Sequence, residues 1–445
     1  MPVRKPLVLA ICCMSLFIVG LDATIVNLAL PSIRRELGAS VTGLQWTVDA
    51  YTLVLAALLV LSGSTADRLG RRRTFQAGLV LFSVGSLLCS IAPSVGLLVV
   101  FRMVQAAGGS MLNPVAMSII TNTFTEKRER ARAIGVWGGV VGLSMAAGPL
   151  VGGALVETIG WRSIFWLNVP VGVLAVVLTA LFVPESKAAR PRRLDPVGQV
   201  LVVLVLAGTV FGIIEGPGEG WTSPLIIGCF VVAALALVGL LRYEPRREDP
   251  LLDLRFFRSI PFSGATVIAV CAFAALGGFL FLNSIYLQET RGFSALHAGL
   301  LTLPMAATTA VFAPLSGRIV GAWGARVPLL IAGTGLTTAG VLLTTTTPTS
   351  SLALLVVAYA AFGIGFGMVN APITNTAVSG MPTEQAGVAA AIASTSRQVG
   401  AALGVALIGA FAGSAVGWWI IAGCGVAVAV LGAATTGQRA LKSVL

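Results

Sequence analysis

Three ionisable side chains occur inside apolar stretches that are long enough to cross a lipid bilayer. Asp22 lies in "FIVGLDATIVNLALP", Asp49 in "LQWTVDAYTL" and Arg102 in "FRMVQAAGGSMLNP". A charge at the bilayer centre costs about 2.5–3.5 kcal/mol on insertion scales, so it normally faces a cavity or a partner. Burial and a neighbouring charge can also move a carboxylate pKa across the working pH range. We therefore predict that Asp22 and Arg102 form a proton-coupling pair, and a purely structural ion pair is the alternative.

Asp49 is a second candidate for this chemistry. At helical spacing it shares one small, polar face with Gln45, Thr52 and Ala56. A carboxylate on such a face could take part in proton coupling or bind a cationic substrate. Because it lies near the expected start of its helix, an interfacial or structural role stays open.

The elements that must position these side chains are predicted to be membrane-spanning helices. The 445 residues are 56% hydrophobic and 10% charged, with a mean hydropathy of +0.94. A soluble protein is usually about a quarter charged, so this composition indicates an integral membrane protein. Windows of about 19 residues predict fourteen helices. These lie at 7–30, 45–65, 75–92, 97–119, 131–156, 164–183, 196–214, 222–242, 262–287, 295–320, 328–346, 351–378, 387–412 and 415–435.

The cysteines and the N-terminus suggest no further class of site. The six cysteines all lie in apolar segments, without a CxxC pair or a Cys/His cluster. We therefore expect neither disulfides nor a metal site. The first apolar run is too long for a signal peptide and no small-residue cleavage site follows it, so we expect a helix that stays in place.

The distribution of lysine and arginine predicts the orientation. With a cytoplasmic N-terminus, only four basic residues face outside and two lie within helices, and the rest of the 29 fall inside. The positive-inside rule then predicts that both termini are cytoplasmic. Nucleic-acid binding would need a contiguous basic surface, so we expect no nucleic-acid partner. The four outside residues are Arg34, Arg35, Arg162 and Arg291, and the two within helices are Arg102 and Arg397.

The two halves of the chain share an internal repeat. "LSGSTADRLGRRR" after the second helix resembles "LSGRIVGAWGARV" after the tenth, and "AGPLVGGAL" resembles "VGAALGVAL". This predicts an all-α fold with two pseudo-symmetric six-helix bundles, at 1–185 and 259–445. Linkers and an inserted helix pair occupy 186–258. Two such repeats around a midplane site are typical of a secondary transporter.

The most specific motif is "GSTADRLGRRR" at 63–73. It resembles the loop G-x-x-x-D-R-x-G-R-R between the second and third helices of the major facilitator superfamily. "WRSIFWLNVP" and "STSRQVGAALGVAL" follow in the family order. With fourteen helices, nearly the whole chain resembles the 14-helix drug:proton antiporters of that superfamily.

The loop motif is predicted to gate the cytoplasmic side. Asp67 can face the positive N-terminal end of a helix in the other bundle, and the arginines can pair with carboxylates. The resemblance implies a latch between the bundles, while the alternative is that these charges only fix topology. The predicted gating residues are Gly63, Asp67, Arg68, Gly70, Arg71 and Arg72.

The segment "AGPLVGG" in the fifth helix is predicted to act as a hinge. Its glycines permit close helix packing, and its proline removes a backbone hydrogen bond. The resemblance implies the bend found in exporters, and ordinary glycine packing is the alternative. The hinge residues are Gly148, Pro149, Gly152 and Gly153.

Substrate binding is predicted to rest mainly on hydrogen-bonding side chains. The C-terminal bundle has no acid in mid-helix, since Glu289 and Glu384 lie at helix ends. Arg397 is costly enough within a helix to be functional or paired with a carboxylate. Together with Asp49, the predicted substrate-binding residues are Gln105, Asn113, Asn283, Tyr286, Gln288, Asn370, Asn375, Arg397 and Gln398.

These features lead to an expected function. We expect a proton-coupled antiporter that exports drugs, antibiotics or other amphipathic molecules across a bacterial inner membrane. The alternative is an exporter dedicated to one metabolite or antibiotic. With one histidine and no catalytic cluster, we expect neither an enzyme nor a cofactor. We expect a monomer in the lipid bilayer, driven by the proton gradient.

Overall fold

The structure is a computed structural model that describes residues 4–188, 194–248, 250–251, 253–378 and 386–437. Side-chain surroundings are described for these residues except 127, 131, 141 and 386–388, and Glu384 lies outside the described residues. Within this part of the chain, fourteen helices are long and apolar enough to cross a membrane, which confirms the predicted count. They are α1 (Lys5–Leu37), α2 (Val41–Leu69), α3 (Arg71–Ser90), α4 (Val95–Thr123), α5 (Arg128–Thr158), α6 (Ser163–Phe182), α7 (Pro196–Glu219), α8 (Pro224–Arg246), α9 (Ile260–Thr290), α10 (Ala295–Trp323), α11 (Arg326–Thr344), α12 (Leu352–Val378), α13 (Ala389–Gly409) and α14 (Val416–Thr435).

Serine caps mark the start of four even-numbered helices. Ser40 accepts a hydrogen bond from the backbone N–H of Gly43, and the other three caps make the same contact three residues on. Such a cap satisfies one of the N–H groups that a helix start leaves without a partner. All four helices begin on the side predicted to be extracellular. The capping residues of α2, α4, α8 and α12 are Ser40, Ser94, Ser223 and Ser351.

Three helices that the hydropathy windows predict as continuous are interrupted. The breaks lie at Leu167 in α6, at Thr302 in α10 and around Met368 in α12. Each break precedes a proline by two to four residues, namely Pro170, Pro304 and Pro372. Proline has no N–H to donate to the carbonyl four residues earlier, so the hydrogen-bond ladder weakens there. Hydropathy windows do not register this effect.

The chain divides into two compact units. The first comprises Met1–Pro196 with Ser294–Leu300, and the second comprises Val197–Phe293 with Leu301–Leu445. In the first unit α1 packs on α5, α2 on α4 and α3 on α6. In the second, α9 packs on α13, α10 on α12 and α11 on α14. The same pairing recurs eight helices later, as the internal repeat predicts. The helices α7 and α8 fall in the second unit, and the three-part division of the sequence stays a prediction.

The repeated glycines make equivalent contacts in the two units. A Cβ at Gly148 would lie 2.0 Å from Thr24 Oγ1, and a Cβ at Gly152 would lie 2.3 Å from Ile25 Cγ1. In α13, a Cβ at Gly404 would lie 2.1 Å from the carbonyl oxygen of Ala274 in α9. Small residues allow helices to approach this closely. The repeated motif therefore brings α5 onto α1, the helix that carries Asp22, and α13 onto α9.

Candidate functional site

Asp22 and Arg102 form a fully buried ion pair at the centre of the first unit. Arg102 Nη1 donates to Asp22 Oδ2 at 2.5 Å, and the two residues are 1% and 0% exposed. The distance is typical of a charge-assisted hydrogen bond. Both ions have lost most of their hydration, so each depends on the other and on nearby polar groups. The structure thus brings together the two residues that the sequence pairs.

Two side-chain amides complete the surroundings of the carboxylate. Asp22 Oδ1 accepts from Gln105 Nε2 at 2.8 Å and from Asn168 Nδ2 at 3.0 Å. Both amide nitrogens also donate to Ser86 Oγ, at 2.8 and 3.3 Å. Gln105 Oε1 in turn accepts from Arg102 Nη1 at 2.6 Å. Side chains from four helices, α1, α3, α4 and α6, therefore form one connected polar network.

Arg102 has partners besides the carboxylate. Its Nε donates to the backbone carbonyl of Thr47 at 3.2 Å. Its guanidinium carbon lies 4.1 Å from the ring centroid of Tyr51 and 5.8 Å from that of Phe165. An aromatic face attracts a cation, and more strongly when water is absent. The guanidinium charge is consequently stabilised from α2 and α6 as well as from α1.

A glycine on α3 lets the network close. A Cβ at Gly85 would lie 2.6 Å from both the N and the Cα of Gln105, so α3 and α4 touch backbone to backbone there. No larger residue fits without separating the two helices. Gly85 therefore places Ser86 and Gln105 within hydrogen-bond distance of each other.

Asp49 is buried on α2 with an incomplete set of partners. It is 0% exposed, and its Oδ1 accepts only a long contact of 3.4 Å from Thr52 Oγ1. Its Oδ2 has no hydrogen-bond partner among the described residues. Leaving the oxygens of a buried carboxylate without hydrogen-bond partners is energetically costly. Proton coupling, binding of a cationic substrate and an interfacial or structural role all stay predictions for Asp49.

Polar residues predicted to bind substrate occupy different settings. Gln105 belongs to the Asp22 network rather than to an open surface, and Asn113 is half-buried with no partner for its Oδ1 in the described part of the chain. In the second unit, Tyr359 donates its hydroxyl to Asn283 Oδ1. Asn370 and Gln398 are half-buried, and Asn375 is exposed.

Tyr286 and Gln288 lie in a wider π-helical turn, Tyr286–Thr290, that ends α9. The Tyr286 hydroxyl donates to the carbonyl of Thr347 at 2.8 Å, and Gln288 donates to Ser284 Oγ at 3.1 Å. Tyr286 thus fastens the connection between α11 and α12. Its predicted contact with substrate stays a prediction.

Arg397 on α13 is partly exposed and differs from Arg102. Its Nη2 donates to Thr374 Oγ1 at 2.5 Å, and its guanidinium carbon lies 6.0 Å from the ring centroid of Phe273. Its Nε has no partner among the described residues. In this part of the chain it meets a hydroxyl and a ring rather than the carboxylate that the sequence offered as one possibility.

The loop motif at 63–73 is tied to the segment after α6. Asp67 Oδ1 accepts from Arg71 Nη2 at 2.9 Å, and the carboxylate of Glu185 accepts from the backbone N–H groups of Arg72 and Arg73 at 3.1 and 3.3 Å. Gly70 has φ +116°, and a Cβ there would lie 2.6 Å from Glu185 Oε1. These contacts lie within the first unit. The latch between the bundles stays a prediction.

The predicted hinge segment is tightly packed on two sides. Gly148 and Gly152 face α1, and a Cβ at Gly153 would lie 2.7 Å from Leu296 Cα. Glu157, one turn later, accepts the backbone N–H of Leu296 at 3.1 Å. Leu296 belongs to the stretch of α10 that falls in the first unit. Close packing is therefore present, and bending at Pro149 stays a prediction.

Four members of the network around the central pair were not predicted from the sequence, namely Thr47, Tyr51, Ser86 and Asn168. Asn168 stands in the quoted motif "WRSIFWLNVP", directly after the break at Leu167. The sequence did contain a signal for Asn168, because a polar residue lies there just before a proline, where the helix begins again. Ser86 carries no such signal, because only the packing of α3 on α4 and α6 makes it central.

Comparison with known proteins agrees with this architecture. The profile described as Major Facilitator Superfamily matches residues 12–405. The chain belongs to this superfamily. The transporter is 38% identical to Multidrug resistance protein Stp of Mycobacterium tuberculosis over 89% of its own length and 74% of that protein. It is 37% identical to the Tetracenomycin C resistance and export protein of Streptomyces glaucescens, over 93% and 76% of the two chains.

A third relative and a solved structure extend the comparison. The transporter is 34% identical to the Methylenomycin A resistance protein of Streptomyces coelicolor, over 89% of its chain and 84% of that protein. A crystal structure of a POT family transporter in complex with 5-aminolevulinic acid superposes with a TM-score of 0.73 and covers 96% of both chains at 15% identity. At that identity the structure supports the fold alone. The protein is thus a multi-pass membrane transporter of the superfamily.

Proposed function

We propose that this transporter is a proton-coupled antiporter that exports drugs, antibiotics or other amphipathic organic molecules by alternating access. The observation that carries the proposal is the buried pair of Asp22 and Arg102, embedded in a network of neutral amides. Relatives that are named for multidrug or antibiotic resistance support export as the direction.

The pair gives the first unit two charge states. With Asp22 ionised, the pair has no net charge, and Arg102 Nη1 is held at 2.5 Å. With Asp22 protonated, the site carries one positive charge, which Thr47 and Tyr51 still stabilise. A proton shifts the conformational equilibrium only as far as it binds one conformation more tightly than the other. Uptake from one side and release to the other would couple proton entry to drug export.

The proposed function also includes a membrane, an orientation and an oligomeric state for the protein. Both termini would lie in the cytoplasm and the fourteen helices in a bacterial inner membrane, as the distribution of basic residues predicts. The protein would work as a monomer in the lipid bilayer, without a cofactor, an enzymatic reaction or a nucleic-acid partner. The proton gradient would supply the energy.

A second candidate function is an exporter dedicated to one antibiotic. The names of two relatives favour it, because each refers to resistance to a single compound, tetracenomycin C or methylenomycin A. Both functions use the same coupling pair. They differ only in how many compounds the substrate surface accepts.

The test is a drug-accumulation panel in a strain that lacks its own efflux pumps. Cells that express the transporter should accumulate less of one or more compounds, and a protonophore should remove the difference. Asp22→Asn should abolish gradient-driven export while the protein remains folded in the membrane. The matched control is Asp253→Asn, because Asp253 pairs with Arg255 outside the membrane-spanning helices. Normal proton-driven efflux by Asp22→Asn would refute the proposed coupling, and a response to one compound alone would favour the second candidate.

A further inference from the structure

The Asp22 network contains a buried polar atom whose hydrogen-bonding capacity is unused. Asn168 donates to Asp22 through Nδ2, but its Oδ1 has no hydrogen-bond partner in the described part of the chain. Asn168 is 1% exposed. Buried polar atoms are normally satisfied, so an unused carbonyl oxygen beside a titratable group requires an explanation.

Protonation of Asp22 changes what the carboxyl group needs from its neighbours. A carboxylate only accepts hydrogen bonds, whereas the neutral acid must also donate one. Asp22 Oδ2 faces Arg102 Nη1, which cannot accept a proton. The acid proton is therefore better placed on Oδ1, where the two neighbours are amides and each amide has a carbonyl oxygen.

The two amides are not equally free to turn. Gln105 Oε1 accepts from Arg102 Nη1 at 2.6 Å, so turning that amide would point N–H groups at the guanidinium. Asn168 Oδ1 holds no such contact, so turning the Asn168 amide breaks no bond on its carbonyl side. Of the two, only Asn168 can present its oxygen to Asp22 without loss at Arg102.

We infer that Asn168 is a positioning residue that serves both protonation states of Asp22 by turning its side-chain amide. In the ionised state Nδ2 donates to the carboxylate, and in the neutral state Oδ1 accepts the acid proton. The inference deepens the proposed function and rests on it, because it requires that Asp22 takes up a proton.

The proton balance of this step is simple. One proton passes from water to Asp22 Oδ1, the O–H then donates to Asn168 Oδ1, and release returns the proton to water. Ser86 Oγ accepts from Asn168 Nδ2 at 3.3 Å before the turn, and afterwards its own O–H can donate to the same amide oxygen. Arg102 keeps its charge and its contacts with Thr47 and Gln105.

The other ionisable groups around the Asp22 carboxyl are not placed to accept a hydrogen bond from the neutral acid. Arg102 on α4 only donates, and the Tyr51 hydroxyl on α2 has no hydrogen-bond partner among the described residues, the carboxylate included. Cys89 on α3 contacts Gln105 Oε1 at 4.0 Å. The contacts that α6 contributes to this carboxylate come from the neutral amide of Asn168.

The decisive measurement is pH-difference infrared spectroscopy on the purified full-length protein in lipid, with asparagine carrying carbon-13 at the side-chain carbonyl. Acidification should produce the band of a neutral carboxylic acid that is absent from unlabelled Asp22→Asn. An asparagine amide band should move to lower frequency with the same pH midpoint, since its carbonyl gains hydrogen bonds. That component should be missing in Asn168→Leu and retained in Thr179→Val, which alters a buried hydroxyl on the same helix.

The outcomes separate the two hypotheses. An Asp22-dependent acid band without any asparagine shift would overturn the role of Asn168 and leave the proposed coupling intact. The absence of an Asp22-dependent acid band would remove both. A purely structural asparagine would leave the amide band unchanged with pH.

Transport supplies a second readout that does not depend on Asn168→Leu alone. Asn168→Leu should lower gradient-driven exchange about tenfold, in line with the loss of one hydrogen bond to a charged group. Asn168→Ser should recover part of this loss, because a hydroxyl can both donate and accept. Equal exchange by Asn168→Leu and Thr179→Val would contradict the inference.

Discussion

The buried centres of the two units contain different kinds of side chain, although the helices of the two units pack in equivalent pairs. In the first unit, an ion pair is enclosed by amides, a hydroxyl and an aromatic ring. In the second, Phe279 stacks on Phe362 at 4.3 Å and meets the edge of Tyr359 at 5.5 Å, and Tyr359 donates to Asn283. From residue 260 onward the sequence contains only two acids, Glu289 and Glu384.

We interpret this difference as a division of functions between the two units. Ion pairs are costly to bury, so a helix bundle retains one in its centre where a change of charge is useful. Neutral aromatic and amide groups offer wide, adaptable surfaces without a proton requirement. We therefore expect proton chemistry to depend on the first unit and neutral substrate contacts to depend more on the second.

The largest contrast is expected between Arg102 and Arg397, which lie within the membrane-spanning helices α4 and α13. Arg102→Met removes the partner of a fully buried carboxylate, and breaking such a pair typically destabilises a protein by about 3–5 kcal/mol. Arg397→Met removes a guanidinium whose Nε is unpartnered among the described residues, so its effect on stability should be near zero. Thermal unfolding in detergent at constant pH measures both.

The double variant Asp22→Asn with Arg102→Met is the control for this prediction. The double variant leaves no unpaired buried charge, so it should recover much of the stability that Arg102→Met loses. It should not recover transport, because Asp22 is absent. Equal destabilisation by Arg102→Met and Arg397→Met would remove the distinction between the units.

The second prediction concerns the close approach of α3 and α4. Gly85→Ala places a Cβ 2.6 Å from the backbone of Gln105, and overpacking of this kind costs about 1–3 kcal/mol. Displacement of Gln105 should also weaken proton coupling. Gly96→Ala, on α4 with no atom within 4 Å of the new Cβ, is the matched control. Unfolding midpoints measure the loss of stability, and drug-induced proton release measures the coupling. Wild-type coupling in Gly85→Ala would show that the close approach of α3 to α4 is unimportant for coupling.

The helical architecture was largely predictable from the sequence, because the lipid bilayer imposes strong physical constraints on helix length and polarity. Apolar length predicts the fourteen helices that are long enough to cross a bilayer. The orientation that the basic residues predict stays a prediction. The pairing of Asp22 with Arg102 follows from the cost of two opposite buried charges. Asn168 and Ser86 could not be predicted in the same way, because their importance arises from how α3 and α6 pack on α1. The contact of Gln105 with Asp22 does not follow from one helical stripe either, and its predicted role in substrate binding stays a prediction.

The third prediction concerns Asp49 and the charge of the substrate. A cation 4 Å from a carboxylate gains about 4 kcal/mol at an effective dielectric of about 20, before desolvation. After desolvation, a net gain of about 1–2 kcal/mol, or about ten- to thirtyfold in affinity, is expected. Asp49→Asn should therefore weaken export of cationic dyes and spare neutral drugs. Matched cationic and neutral substrates in one assay provide the comparison. Equal loss for both would assign Asp49 to coupling or folding, and equal retention would place it away from the substrate path.

The smallest effect is expected at the neutral centre of the second unit. Tyr359→Phe removes the O–H that donates to Asn283 Oδ1, and both residues are buried. The net worth of one neutral hydrogen bond is about 0.5–1.5 kcal/mol. Since no charge is exposed by the change, the pH dependence of drug-induced proton release should match that of the unaltered protein. A double-mutant cycle with Asn283→Ala isolates the contribution of this one bond, because residues in contact are not additive. If Tyr359→Phe displaced the pH profile, the second unit would take part in proton chemistry, and the contrast between the two centres would have to be abandoned.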